Sequence, residues 1–224
     1  MAEKTPHQNV TFPSSGTQAH GYLALPESGK GPGVIVIQEW WGLTDHIRDV
    51  ADRLAAQGFV ALAPDLYGGW ITHDGEEAGQ MMSELPEAVG AQLLGGAVDY
   101  LLANEHVTSQ KLGVIGFCMG GTAAFLAGCR IPGIAAAVSF YGGMIAKFAD
   151  EKPKCPLQMH FGEKDEGIPL DVVEAIKKKQ PQAETYIYPG APHGFYCDER
   201  ASYRKDAGDL AWSRTQEFLA KHMK

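Results

Sequence analysis

The sequence of 224 residues contains no apolar run long enough to form a membrane-spanning helix, so a helical membrane protein is excluded. Its first ten residues have neither an apolar core nor a small-residue cleavage site, so we expect no signal peptide and a cytoplasmic location. The four cysteines form no CxxC pair and show no zinc-ligand spacing. We therefore expect reduced thiols, and neither a metal nor an organic cofactor.

Positive charge is also scarce in this chain. Nineteen Lys and Arg stand against 27 Asp and Glu, which gives a net charge of −8 and an isoelectric point of about 5.4. Nucleic acids and anionic membranes bind to basic surfaces, so we expect neither as a partner. No Lys or Arg lies between residues 54 and 110, a stretch that carries eight acids: Asp65, Asp74, Glu76, Glu77, Glu84, Glu87, Asp99 and Glu105.

What the chain has in abundance is an alternation of short β-rich runs with segments of helical periodicity. The run "GVIVI" and the runs "FVALAP" and "KLGVIGF" are apolar throughout, as in strands buried on both faces. The alternation predicts an α/β fold with a mostly parallel sheet of about seven to eight strands and helices on both faces. We find no repeat or linker, so residues 1–224 are interpreted as a single domain. The Gly-rich, weakly patterned segment 68–90 is a candidate surface excursion or flap.

The stretch "GVIGFCMGG", residues 113–121, places a cysteine among glycines where a strand is expected to pass into a helix. Gly116, Cys118 and Gly120 match the nucleophile elbow, in which glycines make room for a strained turn that carries the nucleophile. A helix N-terminus would also favour a thiolate and a developing oxyanion at this place. A buried, inert cysteine is the alternative interpretation, but the surrounding pattern favours a nucleophile.

A thiol nucleophile needs a base and an acid that orients the base. His193, in the turn "YPGAPHGF" after the last predicted strand, is the candidate base, whereas His160 lies inside the apolar run "LQMHF" and is interpreted as a strand residue. Glu163, Asp165 and Glu166 compete for the role of the acid, and spacing alone does not separate them. Asp165 is preferred because the loop that ends in a proline is expected to direct it toward His193.

With these motifs in order, "QEWWG", "APDLYGG", "GFCMGG", "FGEKD" and "PHGF", the sequence resembles the dienelactone hydrolases, a cysteine branch of the α/β-hydrolase superfamily. The resemblance extends over nearly the whole chain, from about residue 20 to residue 218. It implies a Cys-His-Asp triad made of Cys118, His193 and Asp165. It also implies that Glu39 holds the resting thiol, and that an oxyanion hole is formed by the backbone N–H groups of Trp40 and Met119.

One departure from the family pattern concerns the substrate. In the family members that act on dienelactone, the resemblance implies that arginines hold the carboxylate of the substrate. One of these arginines lies four residues beyond the catalytic histidine. Here that position is Cys197, and the acidic stretch contributes no arginine either. We therefore expect an uncharged or weakly polar substrate. The candidate pocket residues are Trp41, Tyr67, Trp70, Phe195, Cys197 and Arg200.

The sequence thus predicts a cofactor-independent hydrolase of small-molecule esters or lactones, present as a monomer or weak homo-oligomer. The alternative is a thiol redox or peroxide-reactive protein in which Cys197 resolves an oxidised Cys118. A ligand binder without activity is a further hypothesis, which the complete triad makes less favourable. A metal site built from Cys118, His193 and Glu39 is a third hypothesis, which metal analysis of the purified protein would decide.

Overall fold

The computed structural model describes residues 1–223, along which ten strands and seven helices alternate. The strands are β1 (Glu3–Lys4), β2 (Val10–Ser14), β3 (Thr17–Ala24), β4 (Gly33–Ile37), β5 (Val60–Pro64), β6 (Trp70–Ile71), β7 (Leu112–Phe117), β8 (Ile134–Phe140), β9 (Leu157–Gly162) and β10 (Glu184–Tyr188). The helices are α1 (Asp45–Ala56), α2 (Gly75–Glu84), α3 (Glu87–Leu102), α4 (Met119–Arg130), α5 (Ile145–Phe148), α6 (Leu170–Lys179) and α7 (Lys205–His222).

The main sheet is mixed and has eight strands, which confirms the predicted α/β class and strand number. The chain forms two compact units, Met1–Leu112 and Gly113–Lys224. The interpretation of residues 1–224 as a single domain stays a prediction. Among residues 1–223, no helix is both long and apolar enough to cross a bilayer.

In the amino-terminal unit, four strands of the main sheet follow the order β4-β5-β3-β2. The β4–β5 pair is parallel, whereas β5–β3 and β3–β2 are antiparallel. Every residue of β4 and β5 is buried, as their uninterrupted apolar runs predict. Helix α1 buries Ile47, Val50 and Leu54, and it ends in a Schellman motif in which Gly58 has φ +92° and the N–H of Phe59 donates to the carbonyl of Leu54.

The segment 68–90 is more regular than its sequence indicates. Strand β6 pairs antiparallel with β1, and α2 begins at the N-cap Asp74, whose carboxylate accepts the N–H groups of Glu76 and Glu77 at 3.0 Å each. This cap satisfies two of the N–H donors that a helix start leaves without intrahelical partners. The sequence analysis did not identify strand β6 or helix α2, and the interpretation of segment 68–90 as a surface excursion or flap stays a prediction.

In the carboxyl-terminal unit, four strands follow the order β10-β9-β8-β7, and the β10–β9 and β9–β8 pairs are parallel. Helices α4 and α7 pack on β8, and α7 also packs on β9. Strands β8, β9 and β10 are parallel and end at the same edge of this unit. The N–H of Cys118, directly after β7, donates to the carbonyl of Phe140 at the end of β8, so the loops after β7, β9 and β10 emerge at that edge. These three loops carry Cys118, Asp165 and His193.

Candidate active site

Cys118 is the single residue between the end of β7 and the start of α4. Its backbone has φ +54° and ψ −116°, a conformation that is strained for a residue with a Cβ. The N–H of Cys118 donates to the carbonyl of Phe140 at 3.0 Å, and its carbonyl accepts the N–H groups of Gly121 and Thr122 at 3.0 and 3.2 Å. Backbone hydrogen bonds on both sides thus hold this turn in its strained geometry.

The glycines around Cys118 are required by close backbone contacts. A Cβ on Gly116 would lie 1.9 Å from the carbonyl oxygen of Gly120, and a Cβ on Gly121 would lie 2.4 Å from the carbonyl oxygen of Phe140. Both distances are far below van der Waals contact, and both atoms belong to backbone, which cannot rotate away. The steric reason that the sequence predicted for Gly116 is the one found in the structure.

His193 lies in the loop after β10, and its ring contacts two of the other predicted site residues. Its Nδ1 is 2.7 Å from Oδ2 of Asp165, and the side chain of Cys118 lies close enough to the ring to raise its pKa. An imidazole that donates Nδ1–H to a carboxylate presents Nε2 to its other partner. The structure therefore brings Cys118, His193 and Asp165 together in that order.

Asp165 is fixed in place by the loop that carries it. Its side chain is fully buried, and Oδ1 accepts the N–H groups of Gly167 at 2.9 Å and of Ile168 at 3.1 Å, which leaves Oδ2 directed at His193. The competing acids lie elsewhere: Glu163 accepts the N–H of Gly190 at 2.9 Å, and Glu166 is exposed. This loop geometry distinguishes Asp165 from its neighbours, which spacing in the sequence could not do.

The electrostatics of this site favour a protonated imidazole. Burial of the ring opposes its protonation, but the hydrogen bonds with Asp165 and Cys118 and the negative charge on both partners outweigh it and raise the pKa of His193 from 6.5 to about 10. An imidazole with such a pKa is a strong proton acceptor for the thiol beside it. The arrangement can therefore generate a thiolate next to an imidazolium.

His160 is the contrasting case. It is fully buried in β9, with Nδ1 2.8 Å from the hydroxyl of Tyr188 and Nε2 2.9 Å from Oε1 of Gln158. Burial and the nearby charge of Arg214 lower the pKa of His160 to about 3, so the ring is neutral. Its ring also stacks on Phe140 at 4.4 Å. His160 is a packed core residue, in agreement with its interpretation as a strand residue.

Tyr141 is a neighbour of the site that the sequence analysis did not identify. It follows β8 with φ +41°, is completely buried, and places its ring centroid 4.9 Å from that of His193. A tyrosine with a left-handed backbone is uncommon and is maintained only where the surroundings enforce it. The signal in the sequence is "SFYGG", a bulky residue followed by two glycines at the end of a strand.

Glu39, Trp40 and Trp41 follow β4 in the amino-terminal unit. Glu39 is 1% exposed and the two indoles contact each other edge to face, with centroids 5.1 Å apart. A carboxylate buried to this degree requires compensating partners. The roles predicted for Glu39 and for the N–H groups of Trp40 and Met119 stay predictions. Met119 is the first residue of α4, at the positive end of the helix dipole.

The six candidate pocket residues fall into different environments. Tyr67 and Trp70 line a cleft of about 500 Å³ within the amino-terminal unit. Phe195 and Cys197 are 0% and 1% exposed, and Phe195 packs on Tyr188 with centroids 5.0 Å apart. Both side chains are buried, and their assignment to a substrate pocket stays a prediction. Arg200 and Trp41 are partly exposed.

Among residues 1–223, no group of three or more His, Cys, Asp and Glu side chains is arranged to hold a metal ion.

Comparison with known proteins identifies the family of the chain. The model of the dienelactone hydrolase family matches residues 19–223, which is most of the chain. The chain belongs to the dienelactone hydrolase family. This confirms the resemblance seen in the sequence, and it makes the protein a dienelactone hydrolase-like hydrolase, for which a small molecule is the expected substrate.

Individual relatives cover nearly the full chain. A Synechocystis sp. protein, whose name gives carboxymethylenebutenolidase as its inferred activity, is 35% identical over 240 residues, covering 96% of each chain. Protein usf of Aquifex pyrophilus is 35% identical, covering 96% of this chain and 99% of that protein. A crystal structure from Klebsiella pneumoniae, described as an inferred dienelactone hydrolase, superposes with a TM-score of 0.87 at 31% identity, covering 99% of this chain and 98% of that one.

The first testable prediction concerns the glycine at the turn. Gly116→Ala should abolish folding or leave an unfolded fraction visible by circular dichroism, because its Cβ would overlap the carbonyl of Gly120. Gly95→Ala is the matched control, since Gly95 lies within α3 and a Cβ added there would have nothing within 4 Å. That variant should gain about 0.5–1 kcal/mol from helix propensity. Equal stability of Gly116→Ala and wild type would contradict the steric account.

A second prediction follows from the charge on His193. Its ring proton resonances should titrate with a midpoint near pH 10, and Asp165→Asn should lower that midpoint, because it removes the carboxylate that stabilises the imidazolium. Since folding raises this pKa above 6.5, the contribution of His193 to stability is complete below about pH 6.5 and is lost as the pH rises through about 10. NMR titration measures the midpoint. The ring of His160 serves as the internal control, because it should stay neutral from about pH 5 to pH 9. A midpoint near 6.5 for His193 would refute the prediction.

Proposed function

We propose that this protein hydrolyses carboxylic esters or lactones of small molecules through a Cys118-His193-Asp165 triad. The observation that carries the proposal is the position of the His193 imidazole, which is hydrogen-bonded through Nδ1 to Asp165 and lies next to the side chain of Cys118. A nucleophile, a base and an orienting acid within hydrogen-bond reach are the geometry that acyl transfer requires.

In the first half of the reaction, His193 takes the thiol proton and Sγ of Cys118 attacks the carbonyl carbon of the substrate. The negative charge moves to the carbonyl oxygen, at the N-terminus of α4 where the backbone N–H of Met119 is the proposed donor. Collapse of this tetrahedral intermediate breaks the carbon–oxygen ester bond. The leaving alkoxide takes the proton from His193, and the acyl group remains on Cys118 as a thioester.

In the second half, His193 removes a proton from water, and the resulting hydroxide attacks the thioester carbonyl. The second tetrahedral intermediate collapses to the carboxylic acid and the Cys118 thiolate, which is paired again with the imidazolium. Asp165 keeps the ring oriented through both halves because its own position is fixed by the N–H groups of Gly167 and Ile168. The family resemblance adds Trp40 as a second oxyanion donor and Glu39 as the group that holds the resting thiol.

A third prediction tests the triad by kinetics on an aryl ester. Cys118→Ala should lower kcat about a thousandfold or more, and Asp165→Asn about a hundredfold or more, because the nucleophile is lost in the first and the base misoriented in the second. Cys129→Ala is the matched control in α4, the helix that follows Cys118, since Cys129 is buried and its pKa is raised to about 11, by burial first and then by Glu151 and Cys155. Unchanged turnover in Cys118→Ala would overturn the proposal. A reversible Cys118–Cys197 disulfide after mild peroxide, without esterase activity, would favour the thiol redox alternative.

A fourth prediction concerns substrate charge. No Lys or Arg lies between residues 54 and 110, and the position four residues beyond His193 is the buried Cys197. A substrate carboxylate therefore lacks arginine partners at the two places where the family pattern puts them. Across a panel of matched substrates, kcat/KM should be higher for neutral esters and lactones than for carboxylate-bearing lactones. A preference for the anionic lactones would contradict this expectation, while leaving the triad untouched.

A further inference from the structure

The amino-terminal unit contains a cleft that none of the three proposed triad residues lines. Its volume is about 500 Å³, and its walls come mainly from the loop after β5, from β6 and from α2. The apolar part of the wall includes the aromatic side chains of Tyr67 and Trp70 and the flexible side chain of Met81. Two carboxylates, Glu77 and Glu84, complete the lining on α2. Clefts of this size that combine apolar walls with a few polar groups are typical small-molecule sites.

The walls of the cleft are held in fixed positions. The N–H of Tyr67 donates to Oδ1 of Asp65 at 2.9 Å, which fixes the chain after β5. Glu77 accepts the hydroxyl of Thr72 at 2.8 Å, and Glu84 accepts the side-chain amide of Gln80 at 2.8 Å. Each carboxylate is thus oriented by one hydrogen bond and retains further acceptor capacity. The cleft is organised without a ligand.

The net charge of the amino-terminal unit indicates which sign of charge a ligand of the cleft should carry. Residues 1–112 contain five Lys and Arg against fourteen Asp and Glu, a net charge of −9. A cleft with carboxylates on its wall, within a unit of that charge, attracts cations and repels anions. Because residues 54–110 contain no Lys or Arg, no basic side chain of β5, β6, α2 or α3 neutralises the negative charge of these carboxylates.

Ammonium groups of the chain itself already make the contacts that such a ligand would make. The Nζ of Lys4 lies 3.9 Å from the centroid of the Trp70 ring, a cation–π contact, and donates to the carbonyl of Gly68 at 3.2 Å. The ammonium nitrogen of Met1 lies 3.4 Å from Oε1 of Glu77. Trp70 is nevertheless 45% exposed, so part of its indole surface remains open to a ligand.

From these observations we propose that the cleft lined by Tyr67, Trp70, Glu77 and Glu84 binds small organic ammonium compounds. The apolar part of the ligand packs on Met81 and the aromatic rings, while its positive charge lies against the carboxylates and the indole face. This is a binding proposal whose test does not depend on ester hydrolysis, because the ligand contains no ester and none of Cys118, Asp165 and His193 lines the cleft.

The test is an NMR titration with benzyltrimethylammonium, which contains no ester. The indole N–H resonance of Trp70, assigned by its loss in Trp70→Phe, should shift in a saturable manner. The neutral analogue with carbon in place of nitrogen, and benzoate, should bind at least about tenfold more weakly, because they lack the charge that the carboxylates and the indole stabilise. Equal affinity for the neutral analogue, or an unmoved Trp70 resonance, would overturn the proposal.

Variants give the residue-level test. Glu77→Gln and Glu84→Gln should each weaken binding roughly three- to fivefold, as expected for a partly exposed ion pair. Lys4→Met should strengthen it, because the competing ammonium over Trp70 is removed. Glu27→Gln is the control: it removes the same charge from an exposed position in the same unit that does not line the cleft, and it should leave the affinity unchanged. If Glu27→Gln lowered the affinity as much as Glu77→Gln or Glu84→Gln does, the ligand would be attracted by the net charge of the unit alone. That result would contradict a defined binding site.

Discussion

The left-handed backbone at Cys118 is the constraint on which the rest of the site depends. Hydrogen bonds with Phe140, Gly121 and Thr122 hold it, and the glycine at position 116 lets the turn approach the backbone of residue 120. The turn places the thiol directly before α4, beside the imidazole that follows β10. A relaxed turn at this point would reorient the sulfur and separate it from its base. The strained backbone conformation therefore occurs at the residue whose side chain must keep a fixed direction toward His193.

Two histidines, one within β9 and one in the loop after β10, show how environment sets their chemistry. His160 is enclosed by aromatic rings and hydrogen-bonded to neutral groups, so burial lowers its pKa to about 3. His193 lies in a loop at the edge of the sheet, where a buried carboxylate and a thiol contact its ring and raise its pKa to about 10. The same side chain is thus a neutral packing residue in one place and a proton acceptor in the other.

Much of this arrangement could be predicted from the sequence, because some constraints are local. The glycines around Cys118 follow from the sterics of one tight turn, and the buried strands follow from uninterrupted apolar runs. The choice among Glu163, Asp165 and Glu166 depends on which carboxylate oxygen the loop leaves open, which only the folded loop decides. Helix α2 escaped prediction because "GEEAGQMMSE" has two glycines and buries only Ala78. Tyr141 escaped because its backbone is enforced by contacts distant in sequence.

The central claim is that Cys118 carries the acyl group during turnover. Intact-protein mass spectrometry during reaction with a slowly hydrolysed aryl ester tests it most directly. The account predicts a mass increase equal to one acyl group, lost again as hydrolysis is completed, and located by peptide mapping on the peptide that contains Cys118. Turnover with no adduct, or with an acyl group on another residue, would contradict the account.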